Sequence, residues 1–218
     1  MQAIIKTRLD ELQATRERTL NLVKHLSQAQ SEFAPAPRKW SIGEILDHLI
    51  RAERLYREKF AELIDMAKSG RPAVLRVRFA EVNTSIAFIP KPLLGLMEAP
   101  LGVLNSVMPK CIRETFVQYR LVPAQAPSVA EPTRGRALQE LRDELRNALA
   151  EMNALFAANA ELNFTQMRVI HPLMGDNNIP ELLKFIASHE QRHQNQLLDI
   201  LNLSEFPAAV AADMATAT

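Results

Sequence analysis

The chain has 218 residues, of which 47% are hydrophobic and 23% charged, with a formal net charge of +1 at pH 7. That length accommodates one domain with a sizeable core, or one domain carrying a large insertion, and the composition is ordinary for a soluble globular protein. Near-neutral charge without a block of like charge excludes the electrostatic footprint of a nucleic-acid binder. The single Cys111 excludes an intramolecular disulfide and a cysteine-rich zinc site.

The N-terminal run MQAIIKTRLDELQ is charged too early to contain the apolar core of a signal peptide. The most apolar stretch, Ile86 to Met108, is interrupted by Lys91, Glu98, Pro90, Pro92 and Pro100, unlike a membrane span. A cytoplasmic protein without membrane partners is expected. Glycine is scarce and apolar residues recur at helical spacing, which predicts a mainly α chain.

Helix one is predicted over residues 2–28, with Ile5, Leu9, Leu12, Leu20 and Val23 on one stripe. Arg16 interrupts that stripe, so its charged head must reach solvent or a partner. APAPRKW ends the helix. In WSIGE, Ser41 and Glu44 have the spacing of a capping box, and Trp40 can staple onto Ile45. Helix two then continues to about Lys68, with Ile45, Leu49, Ala52, Leu55 and Leu63 facing inward, and KSGRP stops it.

Residues 70–132 hold most of the prolines and read as an insertion, with VPAQAPSVAEP as an extended connector and short helices expected at 83–89 and 101–107. Helix three is predicted from about Thr133 to Ala158, carrying Leu138, Leu141, Leu145, Leu149, Met152 and Leu155 inward. Helix four starts in NNIPE, where Asn178 caps and Pro180 fits the first turn, and runs to about Leu203. The tail from 207 to 218 is expected to fray. The predicted fold is an all-α four-helix bundle, one domain over 1–206, with a long insertion between helices two and three. Sites in such bundles are built in the core from facing helices.

On helix four, Leu182, Phe185, Ile186, His189, His193, Leu197 and Ile200 form one stripe, with Glu190 and Arg192 expected to flank it toward solvent. Two neighbouring imidazoles on an apolar face need partners for their nitrogens. A metal is one solution, and hydrogen bonds to other side chains are the other. His48 lies on the apolar stripe of helix two, about two turns beyond its cap. Added to the pair, it completes a three-nitrogen facial set with an open position for water or substrate. Such a set suits zinc, nickel or ferrous iron better than magnesium or calcium. His25, near the end of helix one, reads as structural or solvent-facing, and His171 as a loop residue before helix four.

SHEQRH contains HExxH, a metalloprotease pattern in which Glu190 is the general base. The extended motif fails: Gln196 stands where the glycine belongs, and Asp199 where the third histidine belongs. On a continuing helix Asp199 points about 120° away from His193. The only downstream glutamate is Glu205, at the frayed end. A metal site is expected and a protease is not.

KWSIGEILDHL, from Lys39 to Leu49, followed by HPLMGDNNIPELLKFIASHEQRHQNQL, from His171 to Leu197, resembles the DinB-like (DinB/YfiT) superfamily. The resemblance covers the second and last helices, about a third of the chain, while helices one and three match only as helices. It implies a four-helix bundle whose metal is held by one histidine of the second helix and an HxxxH pair of the last. Carried over, these are His48, His189 and His193, with the match extending to Gln196 and to the HP…G entrance. The 70–132 segment departs from the shortest members and can reshape the pocket. Characterised relatives include bacillithiol-dependent thiol S-transferases and a mycothiol-dependent maleylpyruvate isomerase.

The resemblance implies a metal-dependent transferase with a small-molecule substrate and a low-molecular-weight thiol as cosubstrate. Zinc or nickel leads as the divalent metal, with iron and manganese as alternatives. A metal-dependent small-molecule hydrolase and a non-catalytic metal- or ligand-binding bundle remain open, as does a homodimer. No catalytic acid or base is assigned: Glu44 is explained by capping and Glu190 by solvation.

Overall fold

The computed structural model describes residues 2–77, 130–171 and 174–208. The expected helices at 83–89 and 101–107, the apolar stretch from Ile86 to Met108 and the tail beyond 208 lie outside the described residues. Among the described residues, five helices and three strands occur in the order α1 (Ala3–Val23), α2 (Gln28–Glu32), α3 (Ile42–Lys68), β1 (Val74–Arg76), α4 (Leu138–Ala157), β2 (Arg168–His171), β3 (Gly175–Asn178) and α5 (Ile179–Leu201). The protein is mostly helical, and no described helix is long and apolar enough to cross a membrane.

Local chemistry sets the ends of these elements. At the start of α3, Ser41 Oγ accepts from Glu44 N at 3.2 Å while Glu44 Oε2 accepts from Ser41 N at 2.9 Å, the reciprocal box expected there. Asn178 and Glu181 form the same box at α5, with Pro180 in the first turn. A third box, Ser27 with Gln30, starts α2. It accounts for a departure from the expected single helix over 2–28: the chain leaves α1 after Val23 and restarts at Gln28. Helix α4 begins at Leu138 rather than Thr133, because the preceding residues turn at Gly135 (φ 72°) and their polar groups bind α3 instead.

The core is split along the helix axes. One apolar cluster joins Ile5, Leu9 and Leu12 of α1 to Phe60 and Leu63 of α3, Met152 and Phe156 of α4, and Leu182, Leu183 and Ile186 of α5. The other joins Val23, Ile45, Leu46, Leu49, Leu141, Leu145, Leu197 and Ile200. Helices α1 and α5 therefore run from the first cluster to the second, and α3 and α4 run the opposite way. Both α1 and α3 pack against α4 and α5. Helices α3 and α4 thus run in the same direction. A polar layer containing Thr15, Arg16, Thr19, Glu53, Glu190, His193 and Gln194, all buried, lies between the clusters.

The all-α expectation is corrected by a three-stranded sheet at the end of α3 and the start of α5. β1 pairs parallel to β2, with Val74 opposite Arg168, and β2 pairs antiparallel to β3, with His171 opposite Gly175. The strands are three or four residues long, and GDNN has little strand propensity of its own. Their pairing is fixed by tertiary context, including the β2–β3 turn, which closes at Gly175 in the left-handed region (φ 70°) that favours glycine. His171 thus belongs to a strand rather than a loop.

Candidate metal centre

The sites rest on helix geometry. Residues four apart on a helix share a face, so His189 and His193 stand one turn apart on α5, their ring centroids 4.6 Å from each other. α3 faces α5 and brings His48 alongside, with ring centroids 5.2 Å from His189 and 4.9 Å from His193. His189 Nε2 lies 3.3 Å from His48 Nε2 and 3.2 Å from His193 Nε2, and one ring nitrogen from each of the three lies within 4.8 Å of the others. Nitrogens bound at about 2.0–2.1 Å to one tetrahedral ion sit about 3.3–3.4 Å apart. The spacing of His189 from each of the other two matches that of neighbouring ligands on such an ion.

The opposite side of two rings sets their tautomers. His48 Nδ1 lies 2.8 Å from the carbonyl oxygen of Ala130, and His193 Nδ1 lies 2.7 Å from Gln196 Oε1. A carbonyl only accepts, so His48 Nδ1 carries the proton and its Nε2 presents a lone pair. The Gln196 oxygen imposes the same arrangement on His193. Burial pushes the His48 imidazole below its ordinary pKa, with Arg192 adding to the shift and the Ala130 contact opposing it. Burial, then the other two histidines and Arg192, push His189 well down. His48 and His193 thus turn Nε2 lone pairs toward His189, the form in which imidazoles bind a metal. Arg192 Nη2, 3.2 Å from His193 Nε2, addresses one of these lone pairs and has to give it up to a cation.

Trp40 does more than enter α3. Its ring packs 4.8 Å from the His48 ring and 6.3 Å from that of His193, and it joins the apolar cluster that contains Ile45. Phe185 stacks on His189 at 6.0 Å. Both aromatics restrict the rings, which is what a ligand set needs before the metal arrives.

Two sequence expectations are corrected at this layer. Glu190 does not flank the stripe toward solvent: it is 1% exposed. Its Oε1 accepts from Arg16 Nε at 2.9 Å and from Thr19 Oγ1 at 2.6 Å, and its Oε2 accepts from Arg16 Nη2 at 3.0 Å. Arg16 found partners rather than solvent. It also donates to Glu53 Oε2 and to the Leu145 carbonyl. Glu53, not Ala52 or Leu55, is the fully buried residue of that turn of α3. Burial raises the Glu53 carboxyl, with Arg16 opposing that rise. Glu53 and Glu190 therefore both face inward. The missed signal was a set of polar residues on apolar faces at helical spacing: Thr15, Arg16 and Thr19 on α1 matched by Glu190 and Gln194 on α5. Gln194 Nε2 donates to the Thr15 carbonyl and to Thr19 Oγ1.

A small cavity of about 10 Å³, room for one water molecule, is lined by Arg16, Glu53, Tyr56, His189 and Glu190 together with Leu49, Ala52 and Ile186. Glu53 Oε1 is buried and accepts no hydrogen bond among the described residues. Tyr56 donates to Met174 Sδ at 3.5 Å, and burial raises its phenol. His25 is exposed in the turn after α1, remote from this layer as expected. His171 accepts from Met174 N through Nδ1 at 3.2 Å, and burial, with Lys59 nearby, pushes its imidazole down to about 4.

Fold and cluster together define a mainly helical protein with three convergent histidines of metal-ligand type. A family model described as the DinB superfamily matches residues 11–197, and the chain belongs to that superfamily. It is 25% identical over 183 residues to "Uncharacterized protein YuaE" of Bacillus subtilis (strain 168), a match covering 84% of this chain and 90% of the relative. No solved structure matches.

Proposed function

We propose that this chain is a metal-dependent small-molecule enzyme, built as a four-helix bundle, in which His48, His189 and His193 hold one divalent ion. The observation that carries the reading is that His189 Nε2 lies 3.2–3.3 Å from the Nε2 atoms of both His48 and His193, with Nδ1 of His48 and His193 engaged elsewhere. Zinc or nickel fits an all-imidazole set best, with iron and manganese next. When bound, the ion supplies Lewis acidity that lowers the pKa of a thiol or water.

The residues around the site serve that chemistry. Ala130 and Gln196 hold protons at Nδ1, Trp40 and Phe185 fix ring planes, and Glu190, locked to Arg16 and Thr19, is withheld from the role of a peptidase base. Among reactions, thiol S-transfer is the leading proposal, supported by the resemblance to DinB-like thiol transferases. Water activation is the second, favoured by Glu53 Oε1, which has no hydrogen-bond partner among the described residues, beside a water-sized cavity that His189 also lines. The reading carries a cytoplasmic location, a small-molecule substrate and no nucleic-acid or membrane partner, with a homodimer compatible. Cobalt-substituted protein tests it. A thiolate charge-transfer band in the near ultraviolet with bacillithiol, mycothiol, glutathione or coenzyme A supports transfer. An unchanged spectrum with all four, alongside cleavage of a peptide substrate, contradicts it.

A further inference from the structure

Asp47 precedes His48 in sequence, yet its contacts lie with the strap of chain leading into α4. Its side chain is 1% exposed. Oδ2 accepts from Thr133 N at 2.7 Å and from Arg51 Nε at 2.7 Å, and Oδ1 accepts from Arg136 Nη1 at 2.8 Å. Arg51 Nη2 also donates to Thr133 Oγ1 at 2.7 Å. Burial by itself raises the Asp47 carboxyl, but the hydrogen bonds from Thr133, Arg136 and Arg51 outweigh it and hold the group ionised below its ordinary range. Three residues before Thr133, Ala130 is 2% exposed, and its carbonyl accepts from His48 Nδ1.

Neighbouring residues of α3 therefore grip one strap at two points, the carboxylate at Thr133 and Arg136, the imidazole at Ala130. A backbone carbonyl can impose a tautomer on a ring only if its own chain is held in place. Between Ala130 and Leu138 there is no helix or strand ladder long enough to hold it. Three residues span at most about 10 Å, so an anchor at Thr133 limits how far the Ala130 oxygen can withdraw from His48.

We propose that Asp47 is a positioning residue for the metal site: by fixing Thr133 and Arg136 it fixes the Ala130 carbonyl, which holds His48 as the Nδ1–H tautomer with Nε2 turned toward His189. The chain on the C-terminal side of the 78–129 segment is thereby tied to a metal ligand, so displacement of the strap is felt at the site. The inference rests on the metal-site reading only for its affinity measurement, since the tautomer is a property of the protein alone.

The test uses the full chain with Asp47→Asn and Arg136→Gln, and Arg134→Ala as control. Arg134 lies on the same strap but bonds Glu44 Oε1 at 2.9 Å rather than Asp47. Imidazole ¹⁵N signals, with His48 assigned from a His48→Gln variant, report the tautomer of the metal-free protein. Cobalt titration by visible absorbance reports affinity. Expected are a single Nδ1–H tautomer of His48 in wild type and Arg134→Ala, and a mixed one in Asp47→Asn and Arg136→Gln. The cobalt Kd is expected to rise about 10–100-fold in those two variants, as for other groups that orient metal-binding histidines. Wild-type-like His48 signals and Kd in a folded Asp47→Asn protein overturn the proposal. If that variant does not fold, Arg136→Gln decides by the same two readings. If wild type binds no cobalt, the metal reading fails while the tautomer comparison still decides whether Asp47 positions His48.

Discussion

Replacing Arg16 with Met should destabilise the protein far more than an ordinary surface substitution. Among the described residues, the guanidinium is the cation that hydrogen-bonds to two buried carboxylates, Glu53 and Glu190, and it also donates to the Leu145 carbonyl. Its loss leaves two buried acids without their counter-charge, and breaking such a group by removing one partner costs about 3–5 kcal/mol. For a domain of this size each kcal/mol moves the Tm by about 2–4 °C, so a fall of roughly 6–20 °C is expected. Urea titration followed by circular dichroism measures the free energy directly. The sign of the pH dependence is a second check. Burial already raises the Glu53 carboxyl, with Arg16 opposing, so without Arg16 the folded state takes up a proton more readily than the unfolded one. The deficit should be full above the raised pKa and shrink as pH falls through it. Changing all three residues together, Arg16→Met with Glu53→Leu and Glu190→Met, should restore most of the loss, because no charge is then stranded. A loss below about 1 kcal/mol in Arg16→Met, or a triple variant no more stable than the single one, refutes the reasoning.

Other expectations follow from the same contacts. His193→Ala should abolish cobalt binding while His25→Ala leaves it at the wild-type level, as read by equilibrium dialysis; equal uptake in both removes the basis of the site. Ser41→Ala should cost about 0.5–2 kcal/mol by denaturant titration, the usual loss for an N-cap, with unchanged metal affinity in the folded protein. His171 is held near 4 against an ordinary 6.5, so the unfolded chain protonates first. Its stability contribution is complete above about pH 6.5 and is lost as pH falls toward 4, by at most about 3 kcal/mol. His171→Gln should therefore flatten stability against pH in that window, and an unaltered profile shows that His171 titrates equally in both states.

Much of the site was legible because its signals are local. Ser41-x-x-Glu44 marked the start of α3 to the residue, and the one-turn spacing of His189 and His193 put both on one face. His48 was found because an imidazole stood among Ile45, Leu49 and other apolar residues. Less legible was whatever depends on a partner far away in sequence. A lone glutamate beside an apolar stripe is ordinarily solvated, so the sequence alone places Glu190 at the solvent edge. Only its distant counterpart Arg16, itself an anomaly on α1, explains its burial. The two polar interruptions were complementary in charge and each lay at a mid-helix position, which is the pattern that links them. The strands were hidden for a related reason: Val74–Arg76 pairs with Arg168–Ile170 across the whole chain from β1 through α4, and three or four residues carry too little periodicity to show alone. The break after Val23 was different, since Ser27-x-x-Gln30 is a local capping signal within what read as one continuous helix.

The central claim is that three imidazoles hold a single ion, and X-ray absorption on protein loaded with one equivalent of zinc tests it most directly. The account predicts saturable uptake of one metal per chain, with three imidazole nitrogens at about 2.0–2.1 Å and a remaining light-atom ligand that exchanges for sulfur when a thiol cosubstrate is added. Replacing any one of His48, His189 or His193 should reduce the imidazole count. A first shell lacking three imidazoles, or no saturable uptake of zinc, nickel, iron or manganese, contradicts it.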